Sequence, residues 1–342
     1  MPDLELGLDT FGDVTAGADG HLLPHAQVIR NMVDEAVLAD ELGIDFFGIG
    51  EHHRADFAVS SPEPLLAAIA MRTRRIRLGS AVTVLSSDDP IRVFQRFSTL
   101  DALSSGRAEV ILGRGSFTES FPLFGYELSQ YETLFTEKLE IFAALARQKR
   151  VSWTGTIRPP LADQAVFPPV ETGGLRTWVG VGGSQESVVR AARHDMPMML
   201  AIIGGDPRRF APYVELYHRA FRHFGHPVRE IGVHSPGYVA ETDEQAREQL
   251  WPDYKRMHDL IGAERGWPPL QRAAFEQEAN HGSLYVGAPD TVARKIAATV
   301  KALGLSRFDL KYSAGPLSHE RLMQSIGLYG SRVIPMVRDM LA

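Results

Sequence analysis

Glu51-His52-His53 closes an apolar run, Ile44–Gly50, and gathers side chains able to move or hold protons. An imidazole titrates near neutrality, so a histidine at a strand end that opens onto a mouth can donate, accept or orient a hydrogen bond at a reacting group. Its competing role is structural, as a histidine bonded to a backbone carbonyl. Neighbouring side chains on an extended strand point to opposite sides, so His52 and His53 are poorly placed to chelate one ion. No H-x-H or H-E-x-x-H spacing accompanies them.

A second cluster is Val179-Gly180-Val181-Gly182-Gly183-Ser184-Gln185-Glu186-Ser187, which reads as a strand, two glycines and a helix start. Free N–H groups at a helix N-terminus form an anion site. Gly182 and Gly183 let backbone approach a ligand closely, and Ser184 and Ser187 add hydroxyl donors. Plain N-capping by Ser184 would explain the serine equally well. Arg114 closes another strand, Glu109–Gly113, on the same expected face. A guanidinium converging with a helix start suits a phosphate monoester. Arg114 could instead pair with Glu119. Between these clusters, Gly79-Ser80-Ala81-Val82-Thr83 offers small residues where a strand ends, either to admit a flat ligand or simply to pack a helix closely.

These residues all fall at C-terminal ends of strands, where an α/β barrel keeps its active site. Strand candidates are Leu4–Asp9, Asp45–Gly50, Ile76–Val84, Ala108–Leu112, Trp178–Val181, Pro197–Ile203, Ile231–Ala240 and Phe308–Tyr312. Helical stripes separate them. In the first, Val28, Ile29, Met32, Val33, Ala36, Val37 and Leu42 share one face, Asp34, Glu35 and Asp40 lie off it, and Gly43 ends it. Eight strands with intervening helices predict a (β/α)8 TIM barrel in one domain spanning residues 1–342. A doubly wound dinucleotide fold would want G-x-G-x-x-G after the first strand, and Asp9-Thr10-Phe11-Gly12 supplies none. Two stretches exceed minimal barrel loops. Residues 153–177 are rich in proline and glycine with little periodicity, and residues 242–287 form a polar, partly helical insertion whose Trp251, Tyr254, Met257, His258 and Trp267 predict a lid.

Composition narrows the function classes. A net charge of -6 with no clustered basic face argues against nucleic acid, and Arg72–Arg77 reads as a solvated connector. The absence of cysteine removes disulfides, thiolate metal sites and thiol nucleophiles. Neither a secretory leader nor a bilayer-length apolar run is visible, so a cytoplasmic protein without membrane partners is expected.

Taken together, these segments resemble the bacterial luciferase-like flavin-dependent monooxygenase superfamily over nearly the whole chain. The similarity is strongest in EHHRADF, RIRLGSAVTVLSSDDPIRV and LSSGRAEVILGRGSFTESFPLFG. It resumes at WVGVGGSQESVVRAARHDMPMMLAII and SLYVGAPDTVARKIAATVKALGLSRFDL. The resemblance implies a (β/α)8 barrel that uses reduced FMN and O2 to oxygenate a small organic substrate through a C4a-hydroperoxyflavin. A separate NAD(P)H:flavin reductase would deliver the FMN. On it, His52 matches a histidine beside the flavin thought to assist proton transfer. Ala81 and Val82 match a non-prolyl cis peptide that bulges against the ring, and Arg114, Gly183, Ser184 and Ser187 match positions around the flavin phosphate. It further implies a homodimer through Glu63–Thr73 and Ile91–Leu103. A deazaflavin coenzyme with hydride transfer, or flavin binding without turnover, are the alternative expectations. Two departures stand out: Glu132 falls where the family carries a second phosphate-facing arginine, and Gly113 replaces a cysteine near the ring, so light emission is not implied.

Overall fold

The computed structural model describes residues 4–342 apart from 18, 148 and 172. Eight parallel strands close on themselves: β1 (Glu5–Thr10), β2 (Phe46–Ile49), β3 (Arg77–Ser80), β4 (Ala108–Gly113), β5 (Arg176–Val181), β6 (Met198–Ala201), β7 (Ile231–Val239) and β8 (Arg307–Lys311). Sequence neighbours pair around the ring, and β8 returns to β1 with Glu5 opposite Arg307 and Asp9 opposite Lys311. All eight strand expectations are met. β2 is buried along its whole length, as a strand covered on both faces must be.

Strand alternation sorts the interior into layers. At the base, Glu5, Arg77, Arg176 and Arg307 are the first residues of their strands and Glu109 the second of its own. Arg307 and Glu109 are fully buried and ion-paired, Arg77 Nε reaches Glu109 Oε2 at 3.1 Å, and Arg176 Nη1 reaches Glu5 Oε1 at 2.7 Å. Above them Phe46, Ile111, Trp178 and Met199 fill the middle, with the Arg307 guanidinium 3.6 Å from the Phe46 ring centre. Near the top the interior positions become small. Gly48, Gly113 and Gly180 surround Ala81-Val82; a Cβ on Gly113 would come within 2.5 Å of Val82 Cγ2, and one on Gly48 within 2.9 Å of the Ala81 methyl. The Ala81–Val82 peptide is cis.

Helices wrap the outside. The first, His25–Glu41, buries Val28, Met32 and Ala36 as its stripe requires, and Gly43 follows at φ +73°. Glu35 and Asp40, expected off the buried face, are buried too. Each has local donors that replace water: Asp40 accepts the amides of Arg74, Arg75 and Ile76, while Glu35 accepts from the Tyr312 hydroxyl at 2.5 Å and pairs with His319 at 2.8 Å. The basic connector therefore hangs from the first helix by its backbone, and its last arginine, Arg77, turns into the barrel base.

The two long excursions have definite structure. Within and just before residues 153–177, Arg150–Trp153 pairs antiparallel with Leu161–Ala165. Its middle residues are exposed, so burial imposes no alternation for a sequence to display. Residues 242–287 follow the C-terminal end of β7 as a 23-residue helix, Asp243–Arg265, and a second helix, Arg272–His281. Thr242 caps the first by accepting from the Gln245 amide at 3.1 Å. No described helix is long and apolar enough to cross a membrane.

Candidate active site

β2 delivers His52 to the mouth just past its last residue. The backbone there is fixed: His52 N–H donates to the Val59 carbonyl at 2.9 Å, and Glu51 accepts the Val84 amide at 2.9 Å. Glu51 also holds His53 at 2.8 Å, so the adjacent histidine is committed to structure. Three aromatic rings enclose His52, with centroids at 4.4 Å (Phe57, stacked), 4.7 Å (Phe11, edge-on) and 5.3 Å (Phe117, edge-on). Its Nε2 is sealed from solvent and has no hydrogen-bond partner. Desolvation pushes the imidazole down to about 3, opposed by Asp13 and reinforced by Lys311, so it stays neutral at physiological pH. A neutral ring with one unsatisfied nitrogen is suited to exchange a hydrogen bond with an arriving ligand.

Phe11, Phe57 and Phe117 thus form an apolar wall around this imidazole. Phe11 also stacks on His234 at 5.5 Å and lies 4.8 Å from Lys311 Nζ. His234 Nδ1 meets Asp9 Oδ2 at 2.6 Å, both side chains buried at the top of the barrel. Beside them Lys311 pairs with Asp13 at 2.9 Å, and Asp13 also accepts from Ser313 Oγ at 2.5 Å and the Gly315 amide at 2.9 Å. Sequence reasoning missed this second ionisable group. Its signal was the interior alternation Glu5-Gly7-Asp9 and Gly232-His234-Pro236, which turns Asp9 and His234 inward from the two strands that flank β8.

The predicted anion site assembles on the same face. Ser184 caps the helix Gln185–Arg193, its Oγ accepting from the Ser187 amide at 3.3 Å with the Ser187 hydroxyl at 3.5 Å. Gly183 sits at φ +115°, its carbonyl held by Tyr213 Oη at 2.8 Å, and no atom obstructs the space beside Gly182. Ser184 Oγ also donates to Glu186 at 2.7 Å, which holds that carboxyl below its usual range. Arg114 pairs with Glu132, not Glu119; Glu119 is taken by Arg54 at 2.6 Å. Glu132 in turn reaches Arg190 Nη2 at 2.6 Å, on the capped helix. A second guanidinium is therefore present, in the second turn of the helix rather than at position 132. Sequence analysis did not find it.

Over the mouth lies the end of the helix Asp243–Arg265. Arg54, 8% exposed, binds Asp56 at 2.9 Å, Glu119 at 2.6 Å and Glu264 at 2.6 and 2.8 Å. Arg265 donates to the Ser116 carbonyl at 3.0 Å and lies 4.8 Å from the Phe117 ring, with Arg54 4.6 Å from it. The crevice left beside His52, lined by Glu51, His53, Val84, Phe117 and Ser120, holds about 10 Å³, about one water molecule.

The barrel, with its ionisable and small residues gathered at the C-terminal mouth, defines an enzyme of the (β/α)8 class. More narrowly, the chain belongs to the luciferase-like monooxygenase family, which it matches over residues 10–307. It is 24% identical to the alkanal monooxygenase alpha chain of Photobacterium leiognathi, covering 92% of this chain and 95% of that one. Among solved structures, the monooxygenase RslO1 of Streptomyces bottropensis superposes with a TM-score of 0.85 at 23% identity, over 97% of this chain and 99% of that one. The FMN complex of the oxygenating constituent of 3,6-diketocamphane monooxygenase from Pseudomonas putida gives 0.77 at 21%, over 97% and 98%. An F420-dependent secondary alcohol dehydrogenase gives 0.75 at 15%, over 98% and 100%. At these identities the structures share the barrel.

Proposed function

We propose that this chain is a monooxygenase that binds reduced FMN at the barrel mouth and uses O2 to oxygenate a small organic substrate. The observation that carries the reading is the pairing of a sealed, neutral, unpartnered His52 Nε2 with a separate phosphate-suited cluster on the same face. The residues present fit such a cofactor. Arg114, Arg190, Ser184, Ser187 and the open backbone of Gly182 and Gly183 would hold its phosphate. The Ala81–Val82 step, which Gly48, Gly113 and Gly180 leave room for, would support the flat ring. The family's named members include alkanal and N-acetyl-S-alkylcysteine monooxygenases, and one structural neighbour holds FMN.

When bound, the flavin supplies the oxygen chemistry. This chain's own residues orient it and keep water out. His52, neutral and desolvated, would hold a hydrogen bond at the reacting edge through Nε2 or Nδ1. Phe11, Phe57 and Phe117 exclude water around that point, and the lid, residues 242–287, closes above it. The reduced flavin would come from an NAD(P)H:flavin reductase as a transient partner. A second copy of the chain would pack through Glu63–Thr73 and Ile91–Leu103, forming a homodimer.

The F420-dependent neighbour favours a second reading, hydride transfer with a deazaflavin and no need of oxygen. Absorption titration of the pure protein with FMN, FAD and a deazaflavin coenzyme separates the two. FMN binding followed by oxygen uptake with reduced FMN and an aldehyde, ketone or alkane supports oxygenation. Deazaflavin binding alone overturns it, and tight FMN binding without turnover leaves a flavin carrier.

A further inference from the structure

The Arg114–Glu132–Arg190 chain supports an inference that rests on the FMN reading and deepens it. Arg190 is anchored: its side chain is 13% exposed, its guanidinium lies 5.7 Å from the Phe135 ring, and its Nη1 is enclosed without a partner. Glu132 is the loose member, 57% exposed in the first turn of the helix Tyr131–Arg147. It bridges both guanidiniums, one through each oxygen. The other carboxylate here, Glu186, is already occupied by Ser184. With both carboxylates in place the cluster has two cations and two anions and no surplus positive charge. Withdrawing Glu132 leaves one unit of positive charge, two guanidinium forks and the capped helix start facing one point.

We infer that Arg190 is the second phosphate-binding cation of this chain, and that Glu132 is a tethered anion occupying both arginines until a phosphate displaces it. A carboxylate between two guanidiniums presents the same charge sign and acceptor geometry as two phosphate oxygens. A phosphate brings a third oxygen, which gives Arg190 Nη1 the acceptor it lacks. Because Glu132 is held on its own helix, it competes at a high effective concentration and lowers the apparent affinity for any phosphorylated ligand. An unphosphorylated flavin does not meet this competition.

The test compares FMN with riboflavin by flavin-fluorescence titration of wild type, Glu132→Gln and Arg190→Met. Glu132→Gln should tighten FMN by about fivefold, the scale of one exposed ion pair, and leave riboflavin unchanged. Arg190→Met keeps the apolar stem on Phe135 and should weaken FMN by at least about tenfold, again sparing riboflavin. An unchanged FMN-to-riboflavin ratio in Glu132→Gln overturns the inference while the flavin reading survives. That variant decides alone if Arg190→Met fails to fold, since Glu132 is exposed. Wild type that binds neither flavin overturns the flavin reading, and this inference with it.

Discussion

Replacing Glu264 by glutamine should open the mouth without unfolding the barrel. Glu264 is half exposed and meets Arg54 through two contacts at 2.6 and 2.8 Å at the far end of the helix Asp243–Arg265. Exposed pairs are weak, so losing this one should raise the open population by no more than about fivefold. Arg54 keeps Asp56 and Glu119, and the barrel below is untouched. Arg54→Met is a harsher change: it removes the cation shared by Asp56, Glu119 and Glu264 and the one facing the Phe117 ring, so it should loosen the helix more than Glu264→Gln does. Hydrogen–deuterium exchange of peptides covering residues 255–268 should therefore quicken modestly in Glu264→Gln and strongly in Arg54→Met, while peptides over β4 and β5 stay protected. Because the crevice beside His52 has room for about one water, flavin association should accelerate alongside. Identical exchange in wild type and Glu264→Gln would show that Arg54 does not fasten this helix.

Other outcomes follow from the same geometry. His52→Ala should slow turnover with flavin affinity largely intact, and steady-state kinetics that do not change would remove it from the mechanism. Since His52 is depressed to about 3 when folded, it binds fewer protons than the unfolded chain between about pH 3 and 6.5, so its burial costs stability as pH falls through that window. His52→Gln should accordingly lessen the fall of the melting temperature on acidification. Arg114→Ala should weaken FMN far more than riboflavin; equal losses would count against its phosphate role. Gly113→Cys places a Cβ 2.5 Å from Val82 Cγ2 and should destabilise the protein by about 1–3 kcal/mol in a denaturant titration, as overpacking does.

The barrel was readable because burial on both faces writes apolar runs into strands such as β2, β4 and β6, while β1 and β8 alternate apolar residues with the charged ones that line the interior. The anion site was half readable. Ser184 and Ser187 announce themselves through helix-start chemistry, but Arg190 looks like any solvated helical arginine until Glu132, 58 residues away, is folded beside it. Asp9 and His234 were passed over for a related reason, although the alternation of their strands points both inward. A buried charge is disguised in sequence as a surface one, and only the closure of the barrel brings these two within 2.6 Å. Glu35 and Asp40 misled in the same way, since a carboxylate on the inner side of a helix is recognisable only once its donors are in place. The hairpin Arg150–Ala165 left no pattern because solvent, not packing, surrounds most of it.

The ring of ions formed by Glu5, Arg77, Glu109, Arg176 and Arg307 makes the barrel a blind well. Arg307 and Glu109 are fully buried and Phe46 and Trp178 pack above them, so among the described residues the floor is filled by side chains. Whatever visits the interior must come and go by one doorway, so arrivals queue: the molecule that sits deepest has to enter first and depart last.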